Sequence, residues 1–275
     1  MAVREPNIFK KAFAVVRMIV FWTGIFIQVP IIFLLPTGRR SVAYMRVYMW
    51  WLKVSTGMRI RVHGKLSDAR PLLVVSNHIS MFEIAMLSYA FGGSFIAKQE
   101  VAHWPVIGPI AKKFGVVFVD RNPATAAQAL TKVNKQLSKV TYPLFIFAEG
   151  TTTNGAYVKP FKSAMFSIVE HSNITVQPVV VNYRAHNGDV ISDTDIANHY
   201  AYFSNAKMDM GPLAVRERSA FGQLFHLMAL GGFMIEITVL PVPDISGMDR
   251  KQIAETLHEM VSTKYMELKD KPARK

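Results

Sequence analysis

The sequence predicts an α/β fold with a mostly parallel central sheet flanked by helices and an additional helical hairpin at its N-terminus. After residue 57, short apolar runs bounded by turn residues alternate with longer helical patterns. Such alternation is typical of strands joined by crossover helices in a parallel sheet. Before residue 57, two long stretches rich in apolar and aromatic residues follow each other with only a short polar break.

The first stretch, 18–35, reads MIVFWTGIFIQVPIIFLL. Its length is at the short limit for a membrane-spanning helix. Lysine and arginine lie on both sides of it, and such residues prefer the cytoplasmic side of a membrane, so neither flank favours crossing. Pro30 predicts a kink. We interpret this stretch as a re-entrant or in-plane element, with a single crossing and a buried core helix as the alternatives.

The second stretch, 42–54, reads VAYMRVYMWWLKV, and its aromatic rings suit the headgroup level of a membrane. The residues GRR at 38–40 separate the two stretches. We therefore predict a membrane-associated helical segment at 1–57, which lies on the membrane as a hairpin, and an α/β domain at 58–275.

The composition narrows the possible partners. The 275 residues include 32 Lys and Arg against 19 Asp and Glu, a net charge of +13. Such an excess predicts an anionic partner, and we favour an anionic membrane surface. Nucleic acid is not expected, because no recognition motif occurs and the basic residues alternate with acids. The absence of cysteine excludes disulfides, cysteine-zinc sites and thiol catalysis.

The apolar runs predict seven strands, near 59–62, 72–75, 95–97, 116–119, 144–147, 176–181 and 234–240. The helical patterns fall near 82–91, 105–114, 124–139, 162–171, 213–230 and 249–267. Polar residues follow four of these strands: His78, Lys98, Arg121 and Glu149. The carboxyl ends of parallel strands share one edge of a sheet, so we expect a site there that handles an anion.

Lys98 and Arg121 are the candidates for binding a phosphate, because a guanidinium offers a planar fork and an ammonium a point charge. Glu149, Gly150 and Thr151 would either cradle anionic oxygen with exposed amides and hydroxyls or form an ordinary tight turn.

His78 and Glu83 suggest a general base with an orienting carboxylate. Ser80 and Glu83 also fit a helix capping box, and the two interpretations are compatible. The sequence has no G-x-S-x-G elbow, so a histidine base would act directly on the hydroxyl of an acceptor. No metal-ligand spacing and no nucleotide-binding motif occur, so neither a metal nor another cofactor is expected.

Four sequence blocks, in this order, resemble those of the glycerolipid acyltransferase family. They are NHISMFE at 77–83, GVVFVDR at 115–121, FAEGTTT at 147–153 and VQPVVV at 176–181. The resemblance covers about residues 58–245 and implies a general base at His78, oriented by Glu83. It further implies a substrate-binding set that consists of Asn77, Ser80, Lys98, Arg121, Glu149, Gly150, Thr151 and Pro178, the last on the acyl-donor side.

The resemblance also implies an activity. The protein would transfer an acyl group from acyl-coenzyme A or acyl-acyl carrier protein to the free hydroxyl of a lysophospholipid. The first expectation for the acceptor is 1-acylglycerol-3-phosphate, with phosphatidate as the product. The acyl thioester is a co-substrate, and no cofactor is required. We expect the protein at the inner membrane, with its catalytic domain facing the cytoplasm.

Two departures from the family pattern leave alternatives open. Glu83 stands where the family has Asp, and the added methylene displaces the carboxylate by about an ångström if the backbone is unchanged, an error that can cost about 10²-fold in rate. A catalytically silent lipid-binding member is therefore one alternative. Thr152 follows Thr151 where phosphatidate-forming members usually have Arg. This resembles relatives that acylate other lysolipids, such as lyso-ornithine lipid.

Overall fold

A seven-stranded sheet forms the centre of the computed structural model, which describes residues 6–119, 126–170, 172–196, 199 and 219–271. The strands are β1 (Arg59–His63), β2 (Leu72–Ser76), β3 (Ser94–Lys98), β4 (Val117–Val119), β5 (Leu144–Phe147), β6 (Thr175–Arg184) and β7 (Met234–Val239). Their order in the sheet is β1-β7-β6-β2-β5-β3-β4. Only β6 and β7 pair antiparallel among these strands, so the predicted, mostly parallel sheet is confirmed.

The helices are α1 (Ile8–Leu34), α2 (Arg39–Thr56), α3 (Phe82–Phe91), α4 (Ile107–Lys113), α5 (Ala126–Leu137), the single turn α6 (Asp193–Asp195), α7 (Ala220–Leu230) and α8 (Arg250–Lys269). The predicted helices near 82–91, 105–114, 124–139 and 249–267 correspond to α3, α4, α5 and α8. The prediction near 213–230 corresponds to α7, and most of its part before Ala220 lies outside the described residues.

The predicted helix near 162–171 is wrong. The chain forms a short 3₁₀ helix, Ser163–Phe166, and then further turns. Phe166, Ile168 and Val169 are buried, and the 3₁₀ helix packs against α8. The apolar spacing of this segment therefore reflects packing against α8 and not the period of an α-helix.

The predicted N-terminal hairpin is formed by α1 and α2, which pack against each other. In the described part of the chain, α1 alone is long and apolar enough to cross a membrane, by length and composition. Only 22% of its most apolar window is buried. Large side chains such as Phe9 and Phe26 are exposed, which argues against a buried core helix. The helix continues through Pro30 to Leu34.

Helix α7 packs against α1 of the hairpin and is followed in the chain by β7 of the sheet. Met18 and Phe21 of α1 pack against Met228 and Ala229 of α7. The guanidinium of Arg17 donates from Nη1 to the carbonyl oxygen of Met228, at 3.2 Å, in the last turn of α7. The same carbonyl also accepts from the amide of Gly231 at 3.1 Å, so Arg17 is a second donor at the C-terminal cap of α7.

The ends of α2 and α7 meet where β1 and β7 begin. Gly232 has a φ of 92°, and a Cβ there would lie 2.0 Å from the carbonyl oxygen of Gly57. The amide of Arg59, two residues after Gly57, donates to the carbonyl oxygen of Phe233 at 2.7 Å. Only a glycine permits both this conformation and this close approach.

Two consecutive residues of β6 show which helices cover its faces. Tyr183 bonds to Glu83 of α3, whereas Arg184 donates to the carbonyl oxygens of Leu268 and Lys269 of α8. Side chains of successive residues in a strand point to opposite faces. Helices α3 and α8 therefore cover opposite faces of β6.

Candidate active site

The candidate site lies at the edge of the sheet where β2 and β5 end. Ser76 at the end of β2 pairs with Phe147 at the end of β5, so the loops that follow both strands leave the sheet side by side. The amide of His78 donates to Oε1 of Glu149 at 2.6 Å and joins these two loops directly. Adjacent parallel strands thus bring together two residues that lie far apart in the sequence.

His78 and Glu83 are in contact. The distance between Nδ1 of His78 and Oε2 of Glu83 is 2.7 Å, and the Glu83 side chain is fully buried while that of His78 is 14% exposed. An ionised carboxylate only accepts hydrogen bonds, so Nδ1 carries the proton and Nε2 is left as the basic nitrogen. His78 lies before α3, in the loop after β2, where the sequence predicted it.

Glu83 also bonds to the backbone before its own helix. The amide of Ser80 donates to both carboxylate oxygens of Glu83, at 2.8 and 2.9 Å. This is the carboxylate half of the predicted capping box, whereas the residue that precedes α3 is Met81 and not Ser80. One carboxylate therefore closes the start of the helix and orients the imidazole.

A third donor, Tyr183, completes the surroundings of Glu83. Its hydroxyl lies 2.6 Å from Oε1 of Glu83, and its side chain is fully buried. Burial first, and then the Glu83 carboxylate, raise the pKa of Tyr183 well above its ordinary value. The hydroxyl is therefore protonated and donates. Sequence reasoning missed Tyr183; the signal was a tyrosine that ends an apolar strand, because a buried tyrosine hydroxyl needs a partner.

The imidazole of His78 is held on its ring face as well. It stacks on Phe147 with a centroid distance of 3.9 Å and an interplanar angle of 12°. The carbonyl oxygen of His78 accepts from the amide of Thr153 at 2.9 Å. Ring, amide and carbonyl of His78 are therefore all fixed before any substrate binds, which is the preorganisation that a general base needs.

Glu149, predicted to bind substrate, is engaged by the protein itself. Its Oε1 accepts from the amide of His78, and its Oε2 accepts from the amide of Lys159 at 2.8 Å. The residue is 2% exposed. Burial raises the pKa of this carboxyl to about 8 and outweighs the two amide bonds, which act in the opposite direction. Glu149 thus joins the loop of His78 to the chain at Lys159.

Asn77 bonds to the backbone of the sheet, and Pro178 lies within the sheet. The side-chain amide of Asn77 donates to the carbonyl oxygen of Val181 at 2.9 Å, and its oxygen accepts from the amide of Val181 at 2.8 Å. Asn77 therefore extends the pairing between β2 and β6 by one side chain. Pro178 lies inside the sheet opposite Val75, before the level at which His78 leaves it. Ser80 is fully buried beside Glu83.

The remaining predicted residues lie further along the same edge or outside the described chain. Lys98 is exposed at the end of β3, and β5 separates it from β2, so it lies about 10 Å from the strand that carries His78. Gly150, with a φ of 74°, ends the turn that begins at Phe147, and Thr151 follows it half-buried. Arg121 lies outside the described residues. Its phosphate-binding role remains a prediction.

In the described ranges, no group of three or more His, Asp or Glu side chains has an arrangement that could hold a metal ion. The site consists of a histidine with a fixed tautomer, a buried carboxylate whose two oxygens both accept hydrogen bonds, and a tyrosine. Such a group can accept a proton from a hydroxyl and return it to a leaving group.

Comparison with known proteins tests the predicted resemblance. The family model "Acyltransferase" matches residues 59–182, which hold His78, Glu83 and Glu149. A lyso-ornithine lipid O-acyltransferase from Pseudomonas aeruginosa is 28% identical over 82% of this chain and 81% of its own. The resemblance to glycerolipid acyltransferases predicted from the sequence blocks is therefore confirmed.

Other relatives match shorter parts of the chain. A lyso-ornithine lipid O-acyltransferase from Brucella abortus is 40% identical over 46% of this chain, and a 1-acyl-sn-glycerol-3-phosphate acyltransferase from Neisseria gonorrhoeae is 31% identical over 41%. These alignments span about half the length of each relative. The crystal structure of the LPA acyltransferase PlsC from Thermotoga maritima matches 97% of this chain and 96% of its own, with a TM-score of 0.59 and 17% identity. That match shows that the two proteins share a fold.

Proposed function

We propose that the protein is a membrane-associated O-acyltransferase that esterifies the free hydroxyl of a lysophospholipid with an acyl group from a thioester. The contact of 2.7 Å between His78 and the buried Glu83 is the observation that carries this proposal. It supplies an oriented base at the carboxyl edge of a sheet, in a chain of this family. No nucleophile other than the acceptor itself is needed.

The reaction follows from the tautomer of His78. Nδ1–H remains bonded to Glu83 while Nε2 accepts the proton of the acceptor hydroxyl. The hydroxyl oxygen attacks the thioester carbonyl carbon and forms a C–O bond. The tetrahedral intermediate then collapses, the C–S bond breaks, and the departing thiolate takes the proton from Nε2. The ester and a free thiol are the products, and His78 returns to its starting state.

Two acceptors fit the relatives. The name of the Neisseria relative gives 1-acyl-sn-glycerol-3-phosphate, and those of the Pseudomonas and Brucella relatives give lyso-ornithine lipid. The second acceptor is supported by the Pseudomonas match over 82% of the chain and by Thr152, which replaces an expected arginine after Thr151. We retain 1-acylglycerol-3-phosphate as the first candidate and lyso-ornithine lipid as the second.

Membrane attachment would come from the exposed apolar face of α1, together with the basic residues of the hairpin. Phe9, Phe26 and Leu34 are 81%, 75% and 86% exposed. Each basic residue near an anionic membrane surface contributes about 1 kcal/mol. We propose that the protein lies on the inner membrane with its catalytic domain in the cytoplasm, where acyl-coenzyme A and acyl-acyl carrier protein are both available as donors.

A transfer assay on the full chain in mixed micelles tests this function. Acyl-coenzyme A and acyl-acyl carrier protein are each offered with a panel of lysolipids, and the diacyl products are followed by mass spectrometry. His78→Ala is expected to lose about 10²- to 10⁴-fold in rate. His103→Ala, which removes an exposed histidine, is the matched control and should retain the wild-type rate.

The outcomes separate the alternatives. A product from one acceptor that disappears in His78→Ala supports the enzyme and identifies that acceptor. A product formed equally by His78→Ala contradicts the role of the base. Binding of lysolipid without product from any acceptor or donor contradicts the enzyme and supports the silent lipid-binding member.

A further inference from the structure

Glu83 has more hydrogen-bond partners than an orienting carboxylate needs. His78, Tyr183 and the amide of Ser80 all donate to it, and together they occupy both oxygens on both sides. Two of these donors lie in the loop that contains the base. The third, Tyr183, comes from β6, about a hundred residues further along the chain. The hydrogen bond from Tyr183 to Glu83 therefore needs an explanation other than the local structure of the loop.

We propose that Tyr183 is a positioning residue that adapts this site to glutamate, because its hydroxyl holds Glu83 at the distance from which the carboxylate reaches His78. The inference rests on the proposed function. A glutamate has one more rotatable bond than an aspartate, so its carboxylate can occupy positions that do not contact the imidazole. The hydroxyl of Tyr183 donates to Oε1 of Glu83, the oxygen that does not contact His78, and so removes this freedom.

The surroundings of Tyr183 show that its hydroxyl is fixed. Its ring stacks on Phe233 with a centroid distance of 5.3 Å, and Phe233 in turn contacts Phe82, the residue before Glu83, edge to face. The backbone of Tyr183 pairs with Ile235 of β7. Because the ring is held on a rigid strand and not on a loop, the hydroxyl is a reference point for the carboxylate.

The same contact controls the charge of the carboxylate. A hydroxyl that donates to Oε1 withdraws charge from the carboxylate, so the interaction of Oε2 with a protonated His78 is weaker than it would be without Tyr183. Among the described residues, the charged or titratable groups that interact with Glu83 are His78 in its loop, Tyr183 on β6, Glu149 after β5 and Tyr265 on α8. Of these, Tyr183 alone combines a direct hydrogen bond to Glu83 with an origin outside the catalytic loop.

A double-mutant cycle on the full chain tests the inference. Wild type, Tyr183→Phe, Glu83→Asp and the double variant are compared in the micelle assay. Tyr183→Phe should lower kcat by about 10- to 100-fold, the value of a hydrogen bond to a charged group, with little change in KM. In the Glu83→Asp background the same change should cost less than about threefold, because an aspartate is too short to contact both His78 and Tyr183.

The pH profile provides a readout that a purely structural role would not change. Without its donor, the carboxylate interacts more strongly with protonated His78, so the acid limb of kcat/KM should move to higher pH in Tyr183→Phe. Tyr265→Phe is the matched control. That tyrosine is equally buried, and its hydroxyl donates to the carbonyl oxygen of Gly155, not to Glu83. It should lose stability and leave the acid limb in place.

The possible results are distinct. Equal losses from Tyr183→Phe in both backgrounds, or an acid limb that does not move, would overturn the positioning role. An unchanged kcat in Tyr183→Phe would also overturn it. If wild type itself forms no product, the proposed function fails first. A Glu83→Asp variant that is faster than wild type would show that the site is not adapted to glutamate, and would overturn the inference as well.

Discussion

Replacing Glu149 with glutamine tests which of two opposing effects controls this buried carboxyl. Removing an ion from water costs several kcal/mol. Two backbone amides that donate to it return about 1.5–3 kcal/mol each, so the two effects oppose each other. Burial dominates and raises the pKa of Glu149 from 4.5 to about 8. Glu149→Gln keeps the shape of the side chain and removes its ionisation.

The sign of the effect follows from proton binding. Below pH 4.5 the carboxyl is protonated in both the folded and the unfolded state, and it contributes no pH dependence. Between pH 4.5 and 8 the unfolded chain loses this proton while the folded protein retains it, so the stability of the wild type falls as the pH rises. The total loss is on the order of 5 kcal/mol, at about 1.4 kcal/mol per pH unit.

We therefore expect Glu149→Gln to lack this pH dependence and to gain stability relative to the wild type between pH 5 and 8. This gain comes in addition to a pH-independent cost of about 1–3 kcal/mol, because the glutamine NH2 cannot accept from the amide of His78 or Lys159. Urea unfolding in mild detergent, followed by tryptophan fluorescence at several pH values, measures this difference. Glu255→Gln, an exposed glutamate on α8, is the control and should retain the pH dependence of the wild type. A wild type that gains stability relative to Glu149→Gln between pH 5 and 8 would refute the reasoning, because the amide bonds would then dominate.

Three further predictions concern packing, a buried charge and the membrane. Gly232→Ala should destabilise the protein by more than about 2 kcal/mol, measured by urea unfolding, because a Cβ would meet the carbonyl oxygen of Gly57 at 2.0 Å; an unchanged midpoint would contradict this close approach. Arg184→Met should cost about 3–5 kcal/mol in the same measurement, because it removes the guanidinium 3.1 Å from the buried carboxylate of Glu236, whose other oxygen contacts His63 at 2.7 Å, and a loss below about 1 kcal/mol would show that the contact with His63 is sufficient. Phe26→Glu should lower retention on anionic vesicles in a flotation assay without changing the unfolding midpoint, because Phe26 is 75% exposed on α1; equal retention would place the membrane contact elsewhere.

Features of the structure that depend on a local sequence pattern were predictable. Alternating runs predicted all seven strands, and turn residues after them predicted His78 and Glu149 at one edge of the sheet. The pairing of His78 with Glu83 was predictable because both residues lie within one short loop and the first turn of a helix. The helical segments at the N-terminus were predictable from their apolar length.

Features that depend on distant contacts were not predictable in the same way. Nothing near Tyr183 indicates that its hydroxyl meets Glu83, because the partner is set by the pairing of β6 with β2. The opposite direction of β1 and β7 likewise has no local signature. The segment near 162–171 was misjudged because packing against α8 gives apolar residues the same spacing as a helix.

The reversed strands have a consequence for kinetics. Because β1 and β7 begin at the edge where the other five strands end, only Gly57 and Met58 separate the end of α2 from the sheet edge that carries His78. A hairpin held on a bilayer therefore keeps the base within reach of lipids that remain in that bilayer. If the hairpin lies on the membrane as proposed, the base and the lipid meet in two dimensions. Diluting the lysolipid with inert lipid at constant bulk concentration should slow the reaction, as it does for catalysts confined to a surface.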